Sequence, residues 1–146
     1  MRFHVPVIYL YALTGKIMGR PSFFLLADDD EDDRQFFLEA LRSIDPGIEC
    51  ITAKNGKEAL TLLQNDFFAA PDFVFLDLNM PMMNGIKCLE EIKKIPALAE
   101  LPVVLYSTTS EKEFEEQSKK AGAYAFFVKP TRTTELADYL RRLVFS

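Results

Sequence analysis

Histidine and cysteine are scarce in this chain of 146 residues. His4 is the only histidine, and Cys50 and Cys88 are the only cysteines. A single histidine excludes a histidine-based catalytic triad and any metal site built from several histidines. The two cysteines have neither metal-ligand spacing nor the density of a disulfide framework, so we expect free thiols in a reducing cytoplasm.

Long apolar runs and an excess of positive charge are also missing. The apolar run Val5–Leu13 is too short to span a bilayer, and Lys16 and Arg20 stand where a signal-peptide cleavage site would lie. The formal net charge is −5, whereas a nucleic-acid-binding surface needs clustered lysine and arginine. We therefore expect a cytoplasmic protein with no membrane anchor and no direct nucleic-acid partner.

The composition is that of one globular domain. Hydrophobic residues make up 49% of the chain and charged residues 27%, and a chain of this length can bury a sizeable core without disulfides. We predict an N-terminal extension of unknown role over residues 1–20 and one domain over residues 21–146. We expect no separate output domain within these residues.

From residue 22 onwards, short apolar runs alternate with stretches of helical spacing. The runs predict strands at Phe23–Ala27, Ile48–Ala53, Phe73–Leu76, Val103–Tyr106 and Ala125–Val128. The helical stretches are residues 31–44, 55–65, 85–94, 111–121 and 133–144. The strands lack polar alternation, so we expect both faces of each strand to be buried. Five such units in series predict an α/β fold with an open parallel sheet and helices on both faces.

Three of the predicted helices carry capping signals at their starts. Asn55 with Glu58, and Ser110 with Glu113, have the spacing of a capping box. Asn84 stands before Gly85 as a candidate N-cap. These signals support helix starts near residues 55, 85 and 111.

Polar residues follow the predicted strands. The acids from Asp28 to Asp33 follow the first strand, Asp77 the third, Ser107 the fourth and Lys129 the fifth. The carboxyl ends of parallel strands meet at one edge of the sheet, where ligands bind. Clustered carboxylates repel one another unless a cation intervenes, and hard oxygen ligands suit Mg²⁺. This pattern predicts a cation site beside a nucleophilic Asp77, with Lys129 and Ser107 available to phosphoryl oxygens.

The acidic run has a simpler interpretation for part of its length. Carboxylates in the first turn of a helix interact favourably with the helix dipole. We interpret Asp32 and Asp33 as solvated helix-start residues of this kind. Asp28 and Asp29 precede the helix, and we expect them to be functional.

Taken together, these segments resemble the receiver domain of bacterial response regulators over residues 21–146. The segments that carry the resemblance are Phe24–Asp29, Phe75–Pro81 with Asn84-Gly85, Leu101–Val104 leading to Ser107, and Phe127–Pro130. The resemblance implies a flavodoxin-like, doubly wound five-stranded sheet of order 2-1-3-4-5 with five helices. It also implies a stand-alone signalling protein of a two-component system.

Residue by residue, the resemblance implies that Asp77 accepts phosphate from a sensor histidine kinase or a phosphotransfer protein. Mg²⁺, with Mn²⁺ as a substitute, would be held by Asp77, by Asp29 directly and by Asp28 largely through water. The backbone carbonyl of Asn79 would complete the metal ligands. Lys129 would contact the phosphoryl group.

The remaining implied roles concern the response. Ser107 and Phe126 match the family's two switch positions, and Thr109 and Asn79 match positions that tune hydrolysis of the acyl phosphate. Phosphorylation would change affinity for a downstream target protein at the face formed by the fourth helix, fifth strand and fifth helix. The same face is a candidate for homodimerisation. The protein would catalyse only its own phosphorylation and dephosphorylation.

Two alternatives remain within phosphate chemistry. Haloacid-dehalogenase-type phosphatases also place an aspartate after a strand, but their second aspartate is replaced here by Asn79, which cannot donate a carboxyl proton. A receiver that has lost phosphorylation and acts only as a scaffold is the other alternative. Phosphate uptake with magnesium separates it from an active receiver.

A third alternative is a calcium-binding EF-hand. The acidic positions of such a loop would be Asp28, Asp30, Asp32 and Glu39. Asp33 stands where the loop needs glycine for its sharp turn, and an apolar strand precedes it where a helix is required. Micromolar calcium binding that survives loss of Asp77 would favour this alternative.

Overall fold

Strands and helices alternate along the chain in the computed structural model, which describes residues 21–65, 69–108 and 111–145. The strands are β1 (Phe23–Ala27), β2 (Glu49–Ala53), β3 (Phe73–Asp77), β4 (Val103–Ser107) and β5 (Ala125–Val128). The helices are α1 (Glu31–Ile44), α2 (Gly56–Leu63), α3 (Gly85–Lys93), α4 (Lys112–Lys120) and α5 (Thr133–Phe145). A short 3₁₀ helix spans Pro96–Leu98.

The five strands form one parallel sheet in the order β2-β1-β3-β4-β5. The α/β class, the parallel sheet and the 2-1-3-4-5 order are therefore confirmed. The chain moves outward from β1 to β2, then crosses back to β3 on the other side of β1. The loops that follow β1 and β3 diverge at this point and leave a crevice between them.

Each face of the sheet is covered by its own apolar cluster. One cluster joins α1 and α5 to an aromatic strand surface that includes Phe24, Phe75 and Tyr106. The other joins α2 and α3 to a mainly aliphatic strand surface that includes Leu25, Leu76 and Leu105. Neighbouring residues on each strand point to opposite clusters because strand side chains alternate between faces.

Burial differs between the inner and the edge strands. Every residue of β1, β3 and β4 is buried. In contrast, β2 is half-buried up to its last residue, and β5 is half-buried with Val128 exposed. The prediction that both faces of every strand are buried is correct for the three inner strands and wrong for the two edge strands, which have a neighbour on one side only.

Capping side chains set the starts of three helices. The side chains of Asn55 and Asn84 accept the backbone N–H groups of Glu58 and Lys87, both at 2.8 Å, as expected of N-caps. Asp30 caps α1 by accepting the N–H of Asp33 at 3.0 Å. The predicted Ser110 cap lies outside the described residues, and α4 begins at Lys112 without a side-chain cap bond from the preceding residue.

Other predictions meet the structure only in part. The predicted extension over residues 1–20 and Thr109 lie outside the described residues. Cys50 and Cys88 are free, and burial raises the pKa of each thiol to about 12. Within the described ranges, no helix has both the length and the apolarity required to cross a bilayer.

Candidate functional site

Three carboxylates meet at the carboxyl ends of β1 and β3. Asp28 and Asp29 follow β1, and Asp77 is the last residue of β3. One carboxylate oxygen from each lies within 4.8 Å of the others. Asp28 is fully buried, Asp77 is 6% exposed and Asp29 faces solvent. The crevice therefore holds a compact set of acids with one side open to water.

The amine of Lys129 lies among these acids. Its Nζ donates to Oδ2 of Asp28 at 2.9 Å and to Oδ2 of Asp77 at 3.1 Å. It also donates to Oδ2 of Asp33 at 2.8 Å. Lys129 comes from the loop after β5, and its backbone N–H bonds the carbonyl of Ser107 at 2.7 Å. Backbone pairing with β4 thus aims the lysine at the acids of β1 and β3.

A close backbone approach holds Asp77 in place. The N–H of Leu78 bonds the carbonyl of Tyr106 at 2.9 Å, and the N–H of Gly85 bonds the carbonyl of Leu78 at 3.1 Å. A Cβ atom at Gly85 would collide with the carbonyl oxygen of Asp77. Glycine at the first position of α3 therefore allows this helix to start directly against the end of β3.

The carboxylate of Asp28 is held by three hydrogen bonds. Oδ1 accepts the backbone N–H of Asp30 at 2.9 Å. Oδ2 accepts the hydroxyl of Tyr106 at 2.7 Å in addition to the Lys129 amine. Arg34 donates to the Asp28 carbonyl at 2.8 Å and so joins the first turns of α1 to the same residue. These bonds satisfy a carboxylate that has no contact with solvent.

The electrostatics of the pocket favour uptake of positive charge. The pKa of Asp77 is raised from 3.8 to about 6, chiefly by burial and also by the charge of Asp28, while Lys129 and the Asn79 N–H act to lower it. Burial alone would lower the pKa of Lys129, but its bonds to Asp33 and Asp28 and the charge of Asp77 raise it above the ordinary lysine value. One lysine thus faces three acids.

The residues present fit a small divalent cation. Asp28, Asp29 and Asp77 supply hard oxygen donors at the edge of a solvent-open pocket, and Mg²⁺ prefers such donors while keeping several waters. The pKa of Asp77 stays raised because Lys129 does not fully offset the cost of burying the charged carboxylate. A bound cation would supply the missing compensation.

The structure brings most of the predicted site residues to this edge. The N–H of Asn79 donates to Oδ1 of Asp77 at 3.2 Å, so its backbone lies beside that carboxylate. Ser107 is fully buried at the end of β4, the strand next to β3. Phe126 is half-buried on β5, paired with Leu105 and packed into the mainly aliphatic cluster rather than the acidic pocket. It lies one strand further from Asp77.

Sequence reasoning missed two residues that contact the pocket. Asp33 lies in the first turn of α1 with 43% of its side chain exposed, as the sequence predicts, but its carboxylate also bonds Lys129. The sequence pattern assigns Tyr106 only to a predicted strand, yet its hydroxyl donates a hydrogen bond to Asp28. The available signal was a phenol in an otherwise aliphatic strand, because a buried tyrosine hydroxyl needs a polar partner.

Comparison with known proteins agrees with this geometry. Residues 24–141 match the family described as the response regulator receiver domain. The chain belongs to this family. Receiver domains are signalling switches of two-component systems, and the resemblance inferred from the strand-end motifs is confirmed.

Individual relatives span several kinds of response regulator. A protein-glutamate methylesterase/protein-glutamine glutaminase from Desulfotalea psychrophila is 36% identical over 115 residues, which are 78% of this chain and 30% of that protein. Among solved structures, chemotaxis response regulator CheY4 of Vibrio cholerae is 29% identical with a TM-score of 0.74, over 85% of this chain and 99% of CheY4.

Two further solved structures come from response regulators with defined chemical states. The phosphorylated cyanobacterial phytochrome response regulator RcpA is 26% identical with a TM-score of 0.74, over 84% of this chain and 91% of that one. The Mn²⁺-bound form of response regulator Rcp1 is 26% identical with a TM-score of 0.73 over the same shares. The chain spans only 30% to 50% of the length of the first curated relatives it matches.

The structure also bears on the calcium alternative. Asp30 caps α1, and Asp32 and Glu39 lie within that regular helix. An EF-hand requires its acidic positions to curl around one ion in an irregular loop. A continuous helix from Glu31 prevents that arrangement, so the EF-hand interpretation is wrong.

Proposed function

We propose that this receiver domain is phosphorylated on Asp77 by a histidine kinase or a phosphotransfer protein in a magnesium-dependent reaction. The observation that supports it best is the Asp77 carboxylate itself, which lies within 4.8 Å of two further acids and 3.1 Å from the Lys129 amine. An acceptor carboxylate, a cation site and a fixed positive charge are the parts that phosphoryl transfer needs.

In the proposed step, a carboxylate oxygen of Asp77 attacks the phosphorus of a phosphohistidine on the donor protein. A P–O bond to Asp77 forms as the P–N bond breaks, and the electron pair of the broken bond stays on the imidazole, which takes up a proton. Lys129 stabilises the negative charge of the phosphoryl oxygens. The Asn79 N–H, which bonds Oδ1 of Asp77 at 3.2 Å, fixes the orientation of the attacking carboxylate.

Asp28, Asp29, Asp77 and the backbone carbonyl of Asn79 are the proposed metal ligands. When bound, Mg²⁺, or Mn²⁺ in its place, would neutralise charge on the phosphoryl oxygens. The Mn²⁺-bound state of Rcp1 and the phosphorylated state of RcpA support this proposal by similarity. The chain itself supplies Asp29 as the solvent-facing ligand and Asp28 as a buried one held by hydrogen bonds.

The proposed response begins at Ser107. A phosphoryl group on Asp77 carries roughly −1.5 to −2 charges and would attract the Ser107 hydroxyl from the neighbouring strand. The backbone at Ser107 is bonded to Lys129, so movement there reaches the end of β5 directly. Phe126, half-buried on β5, would then adopt a second packing, and the two packings would differ in affinity for a partner.

The surface formed by α4, β5 and α5 is the proposed partner face. It carries the exposed side chains of Tyr124, just before β5, and Val128, the last residue of β5. Such side chains suit a downstream target protein or a second copy of this chain. We infer that the protein acts in the cytoplasm, where kinases of this type deliver phosphate, and that it turns over no substrate other than its own acyl phosphate.

Phosphate uptake from acetyl phosphate with Mg²⁺, followed by intact-protein mass spectrometry, tests the acceptor assignment. The wild-type protein should gain one phosphoryl group, and the D77N variant should gain none. D32N is the matched control, because it makes the same chemical change on the exposed surface of α1 and should be phosphorylated like wild type.

Two results would overturn the proposal. Uptake of phosphate by D77N at the wild-type rate would reject Asp77 as the acceptor. Failure of the wild-type protein to take up phosphate from acetyl phosphate and from every histidine kinase of its organism would instead favour a receiver that serves only as a scaffold.

A further inference from the structure

Tyr106 is a buried tyrosine whose hydroxyl contacts the acidic pocket from inside the core. Its side chain is 4% exposed. Its ring packs against Phe37 and stacks on Phe127 with centroids 5.6 Å apart and planes 14° from parallel. The hydroxyl points out of this aromatic packing and donates to Oδ2 of Asp28 at 2.7 Å. The phenol is therefore fixed by the core and directed at a proposed metal ligand.

Asp28 depends on this contact because no solvent reaches it. A carboxylate has about four acceptor sites, and three donors contact that of Asp28: the Asp30 N–H on Oδ1, and the Tyr106 hydroxyl and the Lys129 amine on Oδ2. Both acceptor sites of Oδ2 are thus used, whereas Oδ1 keeps one available. Oδ1 is therefore the Asp28 oxygen that remains available to a cation, or to a water molecule bound to that cation.

Lys129 is the donor that the proposed chemistry would remove. The same amine contacts Asp28, Asp33 and Asp77, and in phosphoryl transfer it would turn towards the phosphoryl oxygens. Asp28 would then keep one side-chain donor, the Tyr106 hydroxyl. The face of the Tyr106 ring also lies 4.7 Å from the lysine Nζ, so this side chain contacts the lysine as well.

We propose that Tyr106 is a positioning residue for the cation site: its hydroxyl holds the buried Asp28 carboxylate in a fixed orientation, and so sets the affinity for Mg²⁺. The proposal rests on the magnesium-dependent function proposed above. Hydrogen-bond partners of metal ligands typically contribute a factor of about 10 to 100 in metal affinity. The effect should therefore be large enough to measure directly.

The test compares Tyr106→Phe with Tyr139→Phe. Tyr106→Phe removes only the hydroxyl and keeps the ring that stacks on Phe127. Tyr139→Phe makes the same change on the next ring of the stack, whose centroid is 4.2 Å from that of Phe127. Mg²⁺ affinity is measured by isothermal titration calorimetry without phosphodonor, and the rate of phosphorylation by acetyl phosphate is measured across a Mg²⁺ titration.

We expect Tyr106→Phe to weaken Mg²⁺ binding by at least about tenfold and to raise the half-saturating Mg²⁺ concentration equally. The rate at saturating Mg²⁺ should stay near wild type, because the acceptor and the lysine remain. Tyr139→Phe should match wild type in both measurements. A Tyr106→Leu variant, which also removes the ring face under Lys129, should in addition lower the saturating rate.

Unchanged Mg²⁺ affinity in Tyr106→Phe would overturn the proposal, as would a fall in the saturating rate with no change in the half-saturating concentration. A wild-type protein that neither binds Mg²⁺ nor takes up phosphate would instead reject the proposed function. The two failures are therefore distinguishable. Thermal unfolding of each variant in EDTA shows that the variants fold before the metal is added.

Discussion

The apolar interior of the sheet and its carboxyl edge are built on opposite principles. The interior of β1, β3 and β4 consists mainly of buried Phe, Leu and Val side chains, which stabilise the fold by a neutral, non-directional effect. The edge a few residues away concentrates Asp28, Asp33 and Asp77 around one lysine. The interior should be insensitive to pH and cations, whereas the edge should respond to both. The pocket is therefore the part of the fold whose energy depends on what binds there.

Mutations in the interior should cause the largest loss in the free energy of unfolding. Phe75 is fully buried and contacts the rings of Phe24, Phe37 and Phe73. F75A should lower the free energy of unfolding by about 4 kcal/mol, measured by urea denaturation. The loss should be the same at pH 5 and pH 8, with or without Mg²⁺. A loss that varied with Mg²⁺ would contradict the separation between interior and edge.

Among the residues at the carboxyl edge of the sheet, replacing Lys129 should cause the largest loss in the free energy of unfolding. K129M leaves the buried Asp28 and Asp77 without their cationic partner, and breaking such a pair costs about 3 kcal/mol. Urea denaturation at pH 8 in EDTA measures this loss, and saturating Mg²⁺ should restore part of it by replacing the missing positive charge. K93M is the control, because Lys93 donates to the neutral carbonyl of Ala99 at 2.8 Å. Rescue of K93M by Mg²⁺ would contradict this explanation.

Magnesium itself should stabilise the wild-type protein. A ligand that binds only the folded state at 100 times its Kd adds about 2.7 kcal/mol to the free energy of unfolding. The stabilisation should appear as a rise in thermal midpoint on Mg²⁺ addition, reversed by EDTA. D32N should show the same rise, whereas D77N should show little of it. An equal rise in D77N would place the cation elsewhere.

The smallest expected effect is an increase in the free energy of unfolding when Asp77 is replaced by asparagine. The folded Asp77 carboxyl has a pKa near 6 against an ordinary value of 3.8, so the folded state binds the proton more tightly. The contribution of Asp77 to stability is therefore highest at a pH below its ordinary pKa of 3.8, and it is lost as the pH rises through about 6. At pH 8 in EDTA, D77N should be more stable than wild type by about 1–2 kcal/mol, since water at the pocket mouth screens part of the shift.

The pH dependence of the stability gain in D77N tests whether the gain comes from removal of the Asp77 charge. The advantage of D77N should shrink as the pH is lowered from 8 to 4, because wild-type Asp77 then takes up its proton. Denaturant unfolding at several pH values in EDTA measures it. A gain that was constant with pH would mean that the asparagine acts through packing rather than through the removed charge.

The strands and helices, their order and the residues that meet at the carboxyl edge could be predicted from the sequence. Apolar runs without polar alternation mark the inner strands, and polar residues directly after them must lie at the carboxyl edge of a parallel sheet. Asp28, Asp29, Asp77 and Lys129 could therefore be assigned to one pocket from their positions along the chain. The helix starts capped by Asn55 and Asn84 could also be predicted, since N-capping is a contact between near neighbours in sequence.

Contacts between residues far apart in the sequence could not be predicted, because they depend on the assembled fold. The Tyr106 hydroxyl reaches Asp28 across 78 positions of sequence, and Lys129 bonds Asp33 across 96. Both contacts depend on the direction in which a side chain leaves its strand or helix and on which strands become neighbours. Local periodicity indicates the face on which a side chain lies, but not which distant group it meets there. The exposure of β2 and β5 was decided in the same way, because a strand becomes an edge only when the sheet is assembled.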